Sequence, residues 1–262
     1  MAYLRPRAVS VDFPIYRGSS RSLKKALLAR STKGNLARDA FDRVTVRALH
    51  DVSFDIEDGE RVALIGANGA GKSTLLKVLG SIIEPTGGRF YCKGRVSALL
   101  DAMVGLEPLA TGRENIVLRG MYLGIEPRDM RLHIDEIVDF TELGSYIDMP
   151  VRSYSVGMMI RLAFAVSTCV PTEILLMDEW LAAGDSHFLA KAHKRMANYV
   201  RKSNILVLAS HSMPLIEQWC SRGILLDRGE VLAVGPIKEL LGEYVARERR
   251  RDAAPAEERV IG

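Results

Sequence analysis

The sequence predicts an α/β fold with a largely parallel sheet. Two short segments, Arg61–Ile65 (RVALI) and Ile205–Ala209 (ILVLA), are almost wholly apolar, as strands are when both faces of a parallel sheet are covered. Stretches with helical spacing lie between such segments, and this alternation is typical of α/β domains. At 262 residues, with 48% hydrophobic and 26% charged residues, the chain is long enough to form a substantial core.

The central elements follow from the same patterns, in chain order. A helix is predicted over Lys72–Leu79, directly after the first buried strand. Residues 112–146 have helical spacing and few strand formers, which indicates a helical insertion. Residues 173–177 (EILLM) predict a further buried strand, and residues 188–200 predict the helix that follows it.

The C-terminal part of the chain predicts a hairpin and then a tail. Two apolar runs, 224–226 and 231–234, flank Asp227-Arg228-Gly229-Glu230, which is a turn signal for a β-hairpin. Residues 247–262 (RERRRDAAPAEERVIG) are charged and have little to bury. We therefore expect a disordered tail there.

Composition limits the class of protein. Cys92, Cys169 and Cys220 are isolated from one another, which suits a reducing compartment and argues against a disulfide framework or a zinc site. The N-terminus lacks the apolar centre of a signal peptide. No apolar run approaches the roughly 18 residues that span a bilayer, so any membrane crossing would fall to another polypeptide.

The net charge of +4 is concentrated in one segment. Residues 17–47 hold nine basic and two acidic residues. Such a segment indicates contact with nucleic acid or with the anionic cytoplasmic face of a membrane, or simply a solvated loop. Our hypothesis is that residues 21–30 (RSLKKALLAR) form a short amphipathic helix at a membrane face, where they meet a pyrophosphate head group.

The strongest motif is a phosphate loop of the form G-x4-G-K-[ST], between the strand Arg61–Ile65 and the helix Lys72–Leu79. Glycines allow the backbone N–H groups to surround phosphate oxygens, and the helix N-terminus faces the same anion. Lys72 is expected to reach the β- and γ-phosphates, and Ser73 to place its hydroxyl on Mg²⁺. The residues expected to bind ATP here are Gly66, Ala67, Asn68, Gly69, Ala70, Gly71, Lys72, Ser73 and Thr74.

A second motif is the apolar run Ile174-Leu-Leu-Met, which ends in Asp178 and Glu179. Alone it could be a strand followed by a helix N-cap. About 100 residues after a phosphate loop, it predicts that Asp178 holds Mg²⁺ through water and that Glu179 orients or deprotonates the attacking water.

Further motifs narrow the class. The segment Tyr154-Ser155-Val156-Gly157-Met158 precedes an apolar helical stretch. A hydroxyl and a glycine at a helix N-terminus can form a second anion site. An ordinary helix with a serine N-cap would have the same sequence pattern. His211 follows the strand Ile205–Ala209. A histidine there can contact the γ-phosphate and respond to its loss.

With these motifs the chain resembles the ATPases of ABC transporters, over about residues 8–242. Tyr154–Met158 resembles the ABC signature, and His211 the switch histidine. Asp185, in Ala182-Ala-Gly-Asp185, resembles the D-loop that links two nucleotide sites. Phe13 and Tyr16 lie where ABC proteins stack an aromatic ring on adenine; Phe13 is slightly favoured, and either ring could instead be core.

Within that family the chain is most similar to exporters of O-antigen, capsule and teichoic acid. Glu107-Pro-Leu-Ala-Thr-Gly-Arg-Glu-Asn115 resembles a segment of that group, and so does Asp178-Glu-Trp-Leu-Ala-Ala-Gly-Asp185. The usual Q-loop glutamine is missing, because Asp101 or Ala102 occupies its position. The chain also ends soon after its last predicted helix, so we expect it to lack the C-terminal carbohydrate-binding domain of some members.

The resemblance implies an ABC-type P-loop NTPase fold with an antiparallel β subdomain and a helical subdomain. The ATPase domain is expected over residues 1–245, with the basic insertion at about 17–47, the helical subdomain at about 104–168 and the charged tail at 246–262. It implies ATP and Mg²⁺ as cofactors, and a homodimer that binds two ATP molecules between facing copies.

The same resemblance implies a location and partners. The ATPase would lie at the cytoplasmic face of a bacterial inner membrane, bound to a separate transmembrane permease near residues 106–146, and a lipid-linked glycan would be the substrate. Nucleic acid is not expected. Two rival hypotheses are a soluble ABC ATPase acting on nucleic acid or ribosomes, and a nucleotide-binding scaffold without turnover.

Overall fold

The computed structural model describes residues 1–14, 36–38, 44–100, 103–178 and 186–253. Predictions for Tyr16, residues 21–30, Asp101, Ala102, Glu179 and Asp185 therefore lie outside the described residues. The chain forms two compact units. Unit 1 comprises Met1–Lys93 and Val207–Gly262, and unit 2 comprises Gly94–Leu206.

The strands, numbered along the described parts of the chain, are β1 (Tyr3–Pro14), β2 (Leu36–Arg38), β3 (Val44–Val52), β4 (Ile56–Glu57), β5 (Arg61–Ile65), β6 (Gly87–Lys93), β7 (Val96–Leu99), β8 (Ile174–Asp178), β9 (Ile205–Ala209), β10 (Arg222–Asp227) and β11 (Glu230–Pro236). The α-helices are α1 (Lys72–Leu79), α2 (Gly112–Tyr122), α3 (Pro127–Arg131), α4 (Ile134–Thr141), α5 (Val156–Ser167), α6 (Ser186–Lys202), α7 (Met213–Trp219) and α8 (Ile237–Ala253). Short 3₁₀ helices cover Gly144–Asp148 and Val151–Ser153.

Unit 1 contains both antiparallel and parallel strand pairs. The long strand β1 pairs antiparallel with β3 near its C-terminal end and with β6 near its N-terminal end. The apolar strand β5 runs parallel to β10, with Val62 opposite Arg222, and β10 turns back into β11 as a hairpin. One side of α1 is buried through Leu75, Leu76, Val78 and Leu79, so the loop before α1 is held between a core strand and a core helix.

Unit 2 combines one parallel strand pair with a group of helices. β7 runs parallel to β8, with Val96 opposite Ile174, and the boundary with unit 1 falls within β9, between Leu206 and Val207. The helices pack around an aromatic cluster of Phe140, Phe164 and Phe188, whose ring centroids lie 5.6–6.2 Å apart. These separations are typical of favourable edge-to-face and tilted ring pairs.

The structure confirms the α/β class and most predicted elements. β5, α1 and β9 have the predicted bounds, and β10 and β11 form the predicted hairpin. The helical insertion is present as α2, α3 and α4, and the predicted strand at 173–177 starts one residue later.

The prediction of a disordered tail from residue 246 is wrong for its first residues, because α8 continues to Ala253. Arg247 binds Glu243 one turn earlier at 2.7 Å, and such i,i+4 pairs support an exposed helix. In the described portion of the chain, no helix is both long and apolar enough to cross a membrane.

Candidate functional site

The phosphate loop lies in unit 1 between β5 and α1. Gly71 is the N-cap of α1, with φ of 103°, a conformation that side chains with a β-carbon rarely adopt. A β-carbon there would also lie 2.8 Å from the Ala48 carbonyl oxygen. Asn68 and Gly69 are exposed and the first turn of α1 has no acidic residue, so the N-terminal end of the helix is open to an anion.

Lys72 lies across this loop. Its Nζ donates to the carbonyl oxygens of Gly66, at 2.6 Å, and Ala67, at 3.0 Å. The loop thus closes around an ammonium group, which supplies the positive charge that phosphate requires. Ser73 is exposed in the first turn of α1, and Thr74 beside it is half-buried.

Unit 1 also contains two further predicted residues. His211 is exposed and follows β9 in a turn where Ser212 N–H donates to Ser210 Oγ at 3.1 Å. Phe13 lies on β1 opposite Val46, and 41% of the residue is exposed. The alternative in which the Phe13 ring is part of the core is therefore wrong, and the ring is accessible for stacking.

Unit 2 holds the predicted acid. Residues 174–177 of β8 are buried, and Asp178 is the half-buried residue at which this strand ends. Carboxylate and hydroxyl oxygens are hard donors of the kind that Mg²⁺ prefers, together with phosphate oxygens and water. Asp178 and Ser73 are chemically suited to that ion. No group of three His, Cys, Asp or Glu side chains in the described residues could hold a metal by itself.

The signature-like segment begins α5 in unit 2. Ser155 is the N-cap, and its Oγ accepts from Met158 N–H at 3.2 Å. Val156 is 60% exposed, and the first turn has no acidic residue. The segment is therefore a Ser-capped helix, which was one of the two interpretations of this motif. Its N-terminus is also accessible to an anion, as the other interpretation requires.

Tyr154 holds the start of α5 in place. Its hydroxyl donates to the Tyr146 carbonyl at 2.6 Å, and the residue is buried. Burial, with a smaller contribution from Asp148, raises the pKa of Tyr154. The tyrosine therefore stays protonated and keeps its donor at neutral pH.

Sequence reasoning missed the role of the segment 107–115, which it used only as a family resemblance. Asn115 is fully buried; its amide nitrogen donates to three backbone carbonyls, and its oxygen accepts from Glu107 N–H at 2.7 Å. Thr111 and Glu114 form a capping box at the start of α2. The Thr-x-x-Glu spacing could have revealed this box. The segment fixes a loop onto α2.

Arg119 was also missed, since nothing marks a mid-helix arginine as buried. It is 2% exposed, and its guanidinium donates to Ser167 Oγ at 3.1 Å and to the Val104 carbonyl. It thereby joins α2 to α5 and to the loop before α2.

The fold and the phosphate loop define a P-loop nucleoside triphosphatase. The family model described as ABC transporter matches residues 49–182. A dimeric post-hydrolysis form of the ATP-binding cassette MJ0796, bound to ADP and Pi, has a TM-score of 0.63 at 21% identity, over 89% of this chain and 98% of that chain.

Relatives of known role are similar over most of this chain. An O-antigen export system ATP-binding protein RfbE of Yersinia enterocolitica is 41% identical over 84% of this chain and 92% of its own length. RfbB of Myxococcus xanthus, with the same description, is 43% identical over 87% of this chain and 52% of its own length. The teichoic acids export ATP-binding protein TagH of Lactococcus lactis is 38% identical over 86% of this chain and 47% of its own length.

The chain belongs to the ABC transporter family, and it is an ATPase. It spans about half the length of two of these relatives and nearly all of the third.

Proposed function

We propose that this chain is the ATP-hydrolysing subunit of an exporter that moves a lipid-linked polysaccharide of the O-antigen type across a bacterial inner membrane. The observation that carries the proposal is the 41% identity to an O-antigen export system ATP-binding protein over 92% of that protein's length. Teichoic acid or capsule is the second candidate substrate, and the 38% identity to a teichoic acids export ATP-binding protein favours teichoic acid.

In this proposal residues 66–74 bind the phosphates of ATP, and Phe13 or Tyr16 stacks on adenine. Lys72 neutralises the β- and γ-phosphates, as its position across the loop allows. Ser73 and Asp178 hold Mg²⁺, which neutralises charge on the leaving and transferred phosphates. Glu179 orients or deprotonates water, and His211 contacts the γ-phosphate.

Two copies would bind ATP together. The exposed start of α5, with Ser155 and Gly157, supplies a helix N-terminus to the γ-phosphate bound by the partner's loop. Asp185 links the two nucleotide sites. Closure of this homodimer would then change the relative stability of two states of a transmembrane partner.

The membrane partner would bind the outer side of α2. Leu118, Met121 and Tyr122 are 40%, 52% and 55% exposed, and their spacing places them on one side of the helix. Apolar side chains grouped in this way mark a contact surface. This contact would keep the ATPase at the cytoplasmic face of the membrane.

Glu179→Gln tests the function. The variant keeps the size of the side chain but removes the proposed base, so we expect MgATP to convert the purified chain into a stable dimer, with hydrolysis lowered at least 100-fold. Size-exclusion chromatography and phosphate release measure these outcomes. Cells that carry only this variant should accumulate the lipid-linked glycan on the cytoplasmic side of the inner membrane.

The control is Glu217→Gln, which alters an exposed carboxylate on α7. It should hydrolyse ATP at the wild-type rate and show no trapped dimer. Wild-type hydrolysis by Glu179→Gln would contradict the role of Glu179. Normal glycan export in cells without the chain would contradict the proposed transport role.

A further inference from the structure

The turn between β10 and β11 lies directly behind the phosphate loop. Asp227 pairs with Glu230, so Arg228 and Gly229 form a two-residue turn, with φ of 50° and 85°. Positive φ at both positions defines a type I′ turn, which matches the twist of a hairpin. Gly229 is buried, and a β-carbon there would lie 2.7 Å from the Ala48 carbonyl oxygen of β3.

The Gly229 peptide groups connect the loop to β3. Gly229 N–H donates to the Ala70 carbonyl of the phosphate loop at 3.0 Å, and the Gly229 carbonyl accepts from His50 N–H at 2.8 Å. The Leu226 carbonyl, at the end of β10, packs against Gly66. The end of the β10–β11 hairpin therefore contacts both ends of the phosphate loop, through Leu226 and through Gly229.

The bond to Ala70 has a directional consequence. A trans peptide is planar, and its C=O and N–H point in opposite directions. Because the Ala70 carbonyl points back at the turn, the N–H of Gly71 points away from the turn. This amide is the last of the loop before α1, where N–H groups bind phosphate.

The side chains of His50 and Glu230 form a contact beside the turn, on the protein surface. His50 Nδ1 lies 2.8 Å from Glu230 Oε1, and an ionised carboxylate only accepts, so Nδ1 carries the proton. The two side chains are 40% and 56% exposed. His50 thus contacts the turn twice, through its backbone N–H at Gly229 and through its ring at Glu230.

We propose that His50 and Glu230 are positioning residues for ATP binding: their pairing fixes the β10–β11 turn, and Gly229 in turn fixes the Ala70–Gly71 peptide. The inference rests on the binding of ATP at the phosphate loop. In this inference His50 and Glu230, which lie outside the phosphate loop, contribute to nucleotide binding.

The test compares His50→Ala and Glu230→Ala, each of which removes one partner of the hydrogen bond, with the wild-type chain. Calorimetry measures the Kd of MgATP, and amide hydrogen exchange measures protection of residues 66–74 in protein without nucleotide. We expect Kd to rise about 3- to 10-fold, the range of one modest hydrogen bond, and exchange in the loop to become several-fold faster. His50→Gln keeps a donor and should recover most of the affinity.

A matched control separates positioning from general destabilisation. Arg5 and Glu57 form an ion pair of similar length, 2.9 Å, and similar exposure, 42% and 50%, in the same unit. Arg5→Ala and Glu57→Ala should leave Kd and loop exchange unchanged. Midpoints of thermal unfolding should be similar in all variants, because exposed pairs contribute little stability.

The proposal is wrong if His50→Ala and Glu230→Ala show wild-type Kd and exchange, or if the Arg5 and Glu57 variants show the same losses. These outcomes differ from a failure of the proposed function, in which the wild-type chain itself would bind no MgATP. Even in that case, amide hydrogen exchange of residues 66–74, measured without nucleotide, still tests whether the β10–β11 turn holds the phosphate loop.

Discussion

At the scale of single residues, the N-termini of helices α2 and α5 show how a side chain can satisfy backbone N–H groups. Thr111 caps α2 and Ser155 caps α5, and each satisfies a helix N–H that has no partner in the helix. Only the cap of α2 also uses a carboxylate. Glu114 Oε2 accepts from Thr111 N–H at 2.8 Å, which adds a charge at the positive end of the helix.

This carboxylate predicts a pH dependence of stability. The Thr111 backbone N–H, with help from its hydroxyl, lowers the pKa of Glu114 below 4.5. A carboxylate with a lowered pKa in the folded state stabilises the fold fully above its unfolded pKa, and this contribution is lost as the pH falls through the folded pKa. Glu114→Gln should therefore be less stable than wild type at pH 7, and this difference should shrink as the pH falls through the folded-state pKa of Glu114.

Urea unfolding at a series of pH values measures this difference. Glu217→Gln, on α7 in unit 1, is the control and should not reproduce the pH-dependent gap. A gap that stayed constant down to pH 3 would contradict the role given to the Glu114 charge.

At the scale of elements, helix α2 has two distinct sides. Asn115, Ile116 and Arg119 are buried, so this side holds the helix in unit 2. The other side exposes Leu118, Met121 and Tyr122. Exposed apolar side chains grouped in this way are typical of a contact surface for another molecule.

The double variant Leu118→Asp, Met121→Asp tests this surface. Two carboxylates oppose burial against an apolar partner, so we expect loss of the integral membrane subunit from affinity-purified complexes. ATPase activity of the isolated chain should stay within about twofold of wild type, since surface substitutions change stability little. Mass spectrometry of detergent-solubilised complexes gives the first readout.

Val245→Asp is the control, because Val245 is a similarly exposed apolar residue on α8. It should co-purify with the membrane subunit as wild type does. If the α2 double variant also kept that subunit, α2 would not be the contact.

The sequence predicted elements well where one pattern is enough. β5 and β9 are apolar in almost every residue, and Lys72–Leu79 follows a phosphate-loop motif, so type and bounds were both correct. The tail was mispredicted because charge was taken for disorder. In α8, Arg247 of the predicted tail pairs with Glu243 one turn earlier, and this pair stabilises the helix beyond residue 246.

The candidate site was predictable in its motifs but not in its supports. Lys72 and Ser73 could be assigned because their spacing is set by phosphate chemistry. The contribution of Gly229 could not, because a backbone bond to Ala70 leaves no trace in residue type and joins positions far apart in the chain. The same holds for Asn115, whose partners are backbone atoms.

At the scale of the whole molecule, folding and nucleotide binding are linked. Unit 1 holds the phosphate loop between core elements, and unit 2 holds Asp178 and Ser155. A ligand that binds only the folded chain stabilises it by mass action. Stability in the presence of ATP therefore reports on the proposed site.

Differential scanning calorimetry of the full chain tests this linkage. MgATP at 100 times its Kd should add about 2.7 kcal/mol, which raises Tm by roughly 5–10 °C at this size. Chelation of Mg²⁺ with EDTA should remove much of that gain. Lys72→Ala should show almost no gain, and an equal gain in that variant would contradict the role of Lys72.

The buried amide of Asn115 also limits which residue types fit at this position. Its nitrogen faces the carbonyls of Glu107, Ala110 and Thr111, so an isosteric aspartate would set an oxygen against three oxygens. Leucine has a similarly branched side chain but would leave the Glu107 N–H without its acceptor. Backbone hydrogen bonding therefore restricts which residue type fits at this position.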